Sequence, residues 1–257
     1  MTEDQTVAKI EEIFADPAFK DMVEAGVYYG RKKSKTHPRM KQFTLGNRNG
    51  IEMINLIKTK ELLDEALKVI EDRVKNGGNL LIVATQPQAE GVVALAGEFG
   101  FPVVNKRWLG GTLTNSRIIL TRIDHFKKLR NDLAQGLLEK YTKKERLGFE
   151  KEVNKTKELL GGLESYDGRP ALMLVIDPNM HMTAVREARH MRVPVVGFSN
   201  TDVDPDMVDY LVLGNNKARA GVNWFLDKIK EAVKSGIAQR AVVKPAEEKV
   251  ESPANKK

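Results

Sequence analysis

The sequence predicts an α/β domain with a mainly parallel sheet covered by helices on both faces and broken by one long helical insertion. Three observations carry this. Short runs that are apolar throughout recur along the chain: Leu80–Thr85, Pro102–Asn105, Ala171–Asp177, Pro194–Ser199 and Tyr210–Leu213. Strands with no polar alternation are buried on both faces, as in a sheet held between helical layers. Segments of helical period fill the gaps between these runs. The stretch between Val104 and Leu172, by contrast, has no strand signal.

In chain order, residues 1–20 form an acidic extension, with Glu3, Asp4, Glu11, Glu12 and Asp16 against Lys9 and Lys20. That is the wrong sign and texture for an export or organellar targeting signal. Gly30, Pro38 and Gly46 punctuate the next segment, which reads as a fixed loop. Glu61–Lys75 then places Leu62, Leu63, Ala66, Leu67 and Ile70 at helical spacing, and Asn76-Gly77-Gly78 turns the chain into the first strand. Gln88–Phe99, Thr183–Met191 and Lys217–Lys234 read as the later helices.

Inside the insertion, Ile119, Ile123, Phe126, Leu129 or Arg130, Leu133 and Leu137 recur at three- and four-residue steps. A helix over Thr112–Gln135 would be about 36 Å long at the helical rise. A second stripe follows at Thr142, Arg146, Phe149, Val153, Thr156, Leu160 and Leu163. Joined at Gln135-Gly136 and closed at Gly161-Gly162, the two predict an antiparallel helical hairpin over residues 112–163. Two dispositions are open, covering the sheet or protruding as a coiled coil; the narrow seam with charges all round favours protrusion. The α/β body is then residues 21–111 and 164–237. Residues 238–257, with Pro245 and Pro253 and few apolar groups, read as a disordered tail.

Lys+Arg 42 against Asp+Glu 35 gives a net charge of +7, and its location matters more than its size. Arg31, Lys32, Lys33, Lys35, Arg39, Lys41 and Arg48 fall within residues 31–48 without a single acid, which equals the whole net charge. A second acid-poor run holds Lys106, Arg107, Arg117, Arg122, Lys127, Lys128 and Arg130 against Asp124 alone. Like charges at this density repel unless a polyanion neutralises them. Tyr28, Tyr29, Phe43 and Trp108 lie among or beside the bases, unlike a plain basic tail. Structured RNA suits such loops better than duplex DNA, for which no helix-turn-helix, zinc finger or basic zipper is legible.

Catalytic and metal chemistry is poorly represented. The chain has no cysteine, which removes thiol catalysis and thiolate metal sites. No G-x-G-x-x-G follows a strand, and neither a phosphate-binding G-x-x-x-x-G-K-[ST] nor G-x-S-x-G occurs. His37, His125, His181 and His190 are scattered. Asp202, Asp204, Asp206 and Asp209 open like a calcium loop, but Met207 and Leu213 stand where glycine and a bidentate glutamate belong. A turn is the better reading, with a casual Mg²⁺ or Zn²⁺ site as the alternative. Asp177 and Asp204 would be the acids of an enzyme acting on a phosphorylated small molecule, yet neither has a legible catalytic partner. Arg186, Arg189 and Arg192 form a basic stripe that suits phosphate contact or a solvated face equally well. No cofactor, metal, small-molecule substrate or membrane is expected. A coiled-coil scaffold with a merely solubilising basic loop is the remaining alternative.

Four stretches are familiar: Lys35–Thr59, Val103–Asn115 with Arg107-Trp108-Leu109-Gly110-Gly111, Leu159–Leu163, and Val175–Asn215. In order and spacing the chain resembles the small-subunit ribosomal proteins of the S-two family in its bacterial form, over about Ala25–Ile237. The resemblance implies a three-layer, flavodoxin-like α/β domain with a protruding coiled-coil hairpin. It implies a non-enzymatic, cytoplasmic component of the small ribosomal subunit that binds ribosomal RNA. Neighbouring ribosomal proteins, including the large S-one protein, are implied partners. The expected RNA contacts are the seven bases of residues 31–48 together with Lys106, Arg107, Arg117 and Arg122. Trp108, Gly110 and Gly111 are expected to be structural, with Trp108 packing the hairpin on the sheet in preference to stacking on a base. Where the family reads Phe-Gly-His, this chain has Tyr29-Gly30-Arg31, and Thr36-His37-Pro38 replaces Trp-Asn-Pro.

Overall fold

The computed structural model describes residues 16–247, with side chains described as far as residue 240. Most of the acidic extension and the last ten residues lie outside the described residues. A short helix α1 (Lys20–Glu24) leads into a three-stranded antiparallel sheet of β1 (Tyr29–Lys32), β2 (Thr44–Arg48) and β3 (Ile51–Ile54), in the order β1-β3-β2. This corrects the expectation of a plain loop over residues 31–48. The β2–β3 turn is Asn49-Gly50, both at positive φ (51° and 80°), the backbone that a two-residue hairpin of right-handed twist requires.

Helix α2 (Leu56–Lys75) is capped by the Asn55 side chain, which accepts from the Ile57 N–H. After it come β4 (Leu80–Val83), α3 (Gly91–Phe99) and β5 (Val103–Val104). The insertion forms α4 (Ser116–Ala134) and α5 (Lys143–Leu160). Then follow β6 (Leu172–Ile176), α6 (Met182–His190), β7 (Val195–Ser199), β8 (Tyr210–Leu213) and α7 (Arg219–Glu247). Helix α7 carries the backbone to Glu247, so the boundary expected at residue 238 falls inside a helix.

The five strands β4 to β8 pair in the order β5-β4-β6-β7-β8, all parallel. This is the order of a doubly wound sheet that reverses direction between β4 and β6. Strand residues alternate between two cores. Leu80, Ile82, Leu172, Leu174, Val196, Phe198 and Val212 face α2, α3 and α7, where Phe198 stacks on Phe225 at 4.5 Å. Leu81, Val83, Met173, Val175, Val195, Leu211 and Leu213 face α6 and the root of the insertion. Met40, fully buried, packs into this second core and anchors the segment that carries the basic residues.

The two ends of the described chain meet on the first layer. The Trp224 indole N–H donates to Asp21 at 3.1 Å, and Lys228 pairs with the same carboxylate at 3.2 Å. Gly236 lies so close to α2 that a side chain there would meet the Glu71 carbonyl.

A separate small cluster, Phe126, Leu129, Leu138 and Val153, joins α4 to α5. Helix α5 begins with a capping box, in which Thr142 and Glu145 satisfy each other's backbone N–H groups. At its far end Gly162 packs against β5, where any Cβ would collide with the Val103 carbonyl.

Candidate nucleic-acid interface

The basic segment is held rigidly by the carboxyl end of β7. Thr201, fully buried, takes the Arg31 backbone N–H on its hydroxyl at 3.0 Å and the His37 N–H on its carbonyl at 2.8 Å. The Thr36 hydroxyl lies 3.2 Å from the Thr201 hydroxyl. Arg31 donates its Nε–H to Asp202 at 3.0 Å. Arg39 pairs with both Asp204 and Asp206. The acids read as a possible cation loop are therefore engaged by arginines, and Asp209 accepts the Val195 N–H at 2.8 Å.

The seven bases thus fall into two groups. Arg31 and Arg39 have internal acidic partners, whereas Lys32, Lys33, Lys35, Lys41 and Arg48 are exposed and make no ion pair with any described residue. Within this segment, charge repulsion is relieved at two positions and left standing at five.

Lys106 and Arg107 follow β5 and are exposed, without an ion pair among the described residues. They lie at the same carboxyl edge of the sheet as the basic segment. The strands that lead to them, β5 and β7, are three strand spacings apart, roughly 14 Å. Arg117 and Arg122 are exposed on α4. Five positions apart on a helix, they are turned from each other by roughly 140° and do not form one line.

The loop after Arg107 is fixed by a residue that sequence reasoning missed. The Glu187 carboxylate, on α6 and only 9% exposed, accepts from the Trp108 indole N–H at 3.0 Å and the Gly111 N–H at 2.9 Å. It also accepts from the Leu113 N–H at 3.1 Å, and from both the backbone N–H and the hydroxyl of Thr114. Burial works to raise the Glu187 pKa, but these donors together outweigh it and hold the carboxyl below its usual range. Gly111 sits at φ 89°, in the left-handed region that favours glycine. Gly110 is exposed. The Trp108 ring is half-buried against the second core. Because this turn is bound by Glu187, α4 starts at Ser116 and not at Thr112.

The Asp177 carboxylate is 5% exposed at the end of β6, 2.6 Å from the Lys217 ammonium and 2.7 Å from the Gln86 amide that donates to it. Desolvation pushes its pKa up, and Lys217 and Gln86 more than offset this, so it stays ionised and paired. A carboxylate held in this way is a structural anion and a poor proton acceptor.

The model of the family described as ribosomal protein S2 matches residues 22–236. The chain belongs to the ribosomal protein S2 family. A small ribosomal subunit protein uS2 of Jannaschia sp. (strain CCS1) is 39% identical over 222 residues, covering 86% of this chain and 80% of the relative. The uS2 of Nitratidesulfovibrio vulgaris (strain DSM 19637 / Miyazaki F) is 38% identical over 87% of this chain and 83% of its own. That of Brucella melitensis biotype 1 is 38% identical over 88% of both chains. The S2 family is structural and non-enzymatic, in agreement with the paired state of Asp177. Its match covers both basic runs and the Glu187 anchor. Among the described residues no helix is long and apolar enough to cross a membrane.

Proposed function

We propose that this S2-family chain is a structural component of the small ribosomal subunit on the cytoplasmic ribosome. It binds ribosomal RNA and neighbouring ribosomal proteins and so supports translation. The observation that carries the reading is the set of five exposed bases, Lys32, Lys33, Lys35, Lys41 and Arg48, on a segment pinned to the sheet yet without acidic partners. A pinned, unneutralised segment of this kind binds a phosphate backbone without the cost of ordering its own main chain. Arg31 and Arg39 line the same segment with their charge offset by their acids, and are phosphate contacts in this reading where RNA competes for them; Lys106, Arg107, Arg117 and Arg122 extend the surface.

In this reading residues 112–163 form a protruding antiparallel coiled-coil hairpin on an α/β body of residues 21–111 and 164–237. The separate Phe126–Val153 cluster supports that division. The large S-one protein is a proposed neighbour, from the resemblance alone.

The test is incorporation. Replacing Lys32, Lys33 and Lys35 by Glu is expected to abolish co-sedimentation with small subunits while leaving circular dichroism unchanged. Binding of the unaltered chain to a small-subunit RNA fragment should weaken with salt. Neutralising about six phosphates gives a log–log slope of about −4. Incorporation of the triple variant at the normal level, or an affinity indifferent to salt, would refute the interface.

A further inference from the structure

The strand order reverses between β4 and β6, and in open parallel sheets the crevice at that reversal, beyond the carboxyl ends of the strands, is where ligands bind. Here the crevice is a cleft of about 420 Å³, within the range of small-ligand sites. Its walls come from three strand ends: Thr85 after β4, Lys106, Arg107 and Trp108 after β5, and Met180 and His181 after β6. A second cleft of about 430 Å³ opens beside it and shares Thr85 and Lys106.

The chemistry of the walls is specific. His181 Nδ1 lies 3.0 Å from the Asp177 carbonyl oxygen, which can only accept, so Nδ1 carries the ring proton. In the neutral ring Nε2 is then the acceptor, and the Thr85 hydroxyl 3.0 Å away donates its hydrogen to it. The Thr85 oxygen is left as an acceptor for a ligand donor, an amino group or a ribose hydroxyl. Trp108 is oriented by its bond to Glu187 and is only half-buried, while Met180 is 61% exposed. Both are soft, polarisable surfaces on which a base can lie. Lys106 and Arg107, the only cations of the wall, have no ion pair with any described residue.

We propose that this crevice takes one unstacked ribonucleotide of single-stranded RNA. The base lies against Trp108 and Met180, the backbone phosphate against Lys106 and Arg107, and a donor of the nucleotide reaches the Thr85 oxygen. The proposal rests on the RNA-binding reading and adds to it a pocket that selects unpaired over duplex RNA, because only an unstacked base reaches an aromatic wall.

The chain contains two tryptophans, so Trp224→Phe leaves Trp108 as the sole indole emitter of an otherwise full-length protein. A short single-stranded oligoribonucleotide is expected to quench that emission saturably. A duplex of equal length is expected to bind in a salt-sensitive manner without quenching. Thr85→Val in the same background should weaken the quenching affinity about fivefold, the loss of one hydrogen bond, and leave duplex affinity unchanged. RNA binding with unaltered emission overturns the crevice assignment while leaving the basic-segment interface intact; failure to bind any RNA overturns both. Equal quenching by the duplex removes the selection of unpaired bases. Quenching by AMP at the concentrations at which the oligonucleotide acts reassigns the site to free nucleotides. A Thr85→Val protein with unchanged quenching refutes the acceptor role.

Discussion

A carboxylate taken out of water is stable only where donors replace its hydration, and Glu187 collects five of them from the loop 108–114. The charge matters as well as the shape. Glu187→Gln keeps the volume but offers one accepting oxygen and turns an amide NH₂ toward groups that themselves donate. Unfolding by urea should show a loss of about 2 kcal/mol at neutral pH, the scale of hydrogen bonds to a buried charge. The folded-state pKa lies below the ordinary 4.5, so the stabilisation is fully present above that value and is lost as pH falls through the folded pKa. The gap between the two proteins should therefore be constant above about pH 5 and close in more acid solution. A gap that widens on acidification would contradict the assignment. In the sequence Glu187 is one acid among Arg186, Arg189 and Arg192 and passes as part of a solvated stripe. Its helical phase tells otherwise. It shares a face with Ala184, Ala188 and Met191, three small or apolar residues that turn inward. Lys32 and its neighbours were legible as an acid-free run because local charge density is a one-dimensional property, whereas the pairing of Arg31 and Arg39 with acids far along the chain is not. Nor is a hydrogen-bond acceptor for a loop 73 to 79 residues away.

At the scale of elements, α4 and α5 are joined beyond their root by a cluster separate from both sheet cores. Phe126 is 1% exposed within it. Phe126→Ala removes the largest member of a four-residue cluster and should cost about 3–5 kcal/mol locally. Amide exchange is expected to accelerate across α4 and α5 while β4, β6 and β7 keep their protection. Uniform acceleration over the whole chain would show that the helices and the sheet unfold as one unit. The main strands were readable because each is apolar on both faces. The three short strands β1 to β3 escaped notice because Thr44-Leu45-Gly46-Asn47-Arg48 neither alternates nor forms an apolar run. The dipeptide Asn49-Gly50 is the one unread signal there, a hairpin turn between β2 and β3. The start of α4 differs for another reason: Thr112–Asn115 has acceptable helical phase, but the Leu113 and Thr114 N–H groups are committed to Glu187 and that of Thr112 to the Leu109 carbonyl.

For the molecule as a whole, the net charge of +7 is the residue of an uneven arrangement. The carboxyl edge of the sheet carries bases that are free beside bases that are bonded to Asp202, Asp204 and Asp206. Those acids moderate the field. The pair Asp204→Asn with Asp206→Asn releases Arg39, which is 57% exposed and whose surface pairing contributes little to stability. RNA titrations across a potassium chloride series should then show the slope steepening by about 0.7 for the released cation. No change in slope would place Arg39 outside the contact.

The joining of α1 to α7 bears on how the protein is made. Trp224, Phe225, Ile229 and Val233 complete the core layer begun by Leu63, Ile70 and Leu80, and Asp21 waits for Trp224 and Lys228. Synthesis proceeds from the amino end, so this side of the sheet is covered at first by α2 and α3 alone and stays partly open until α7 has been made. The domain closes like a clasp, with α7 laid over a layer that the earlier helices leave open.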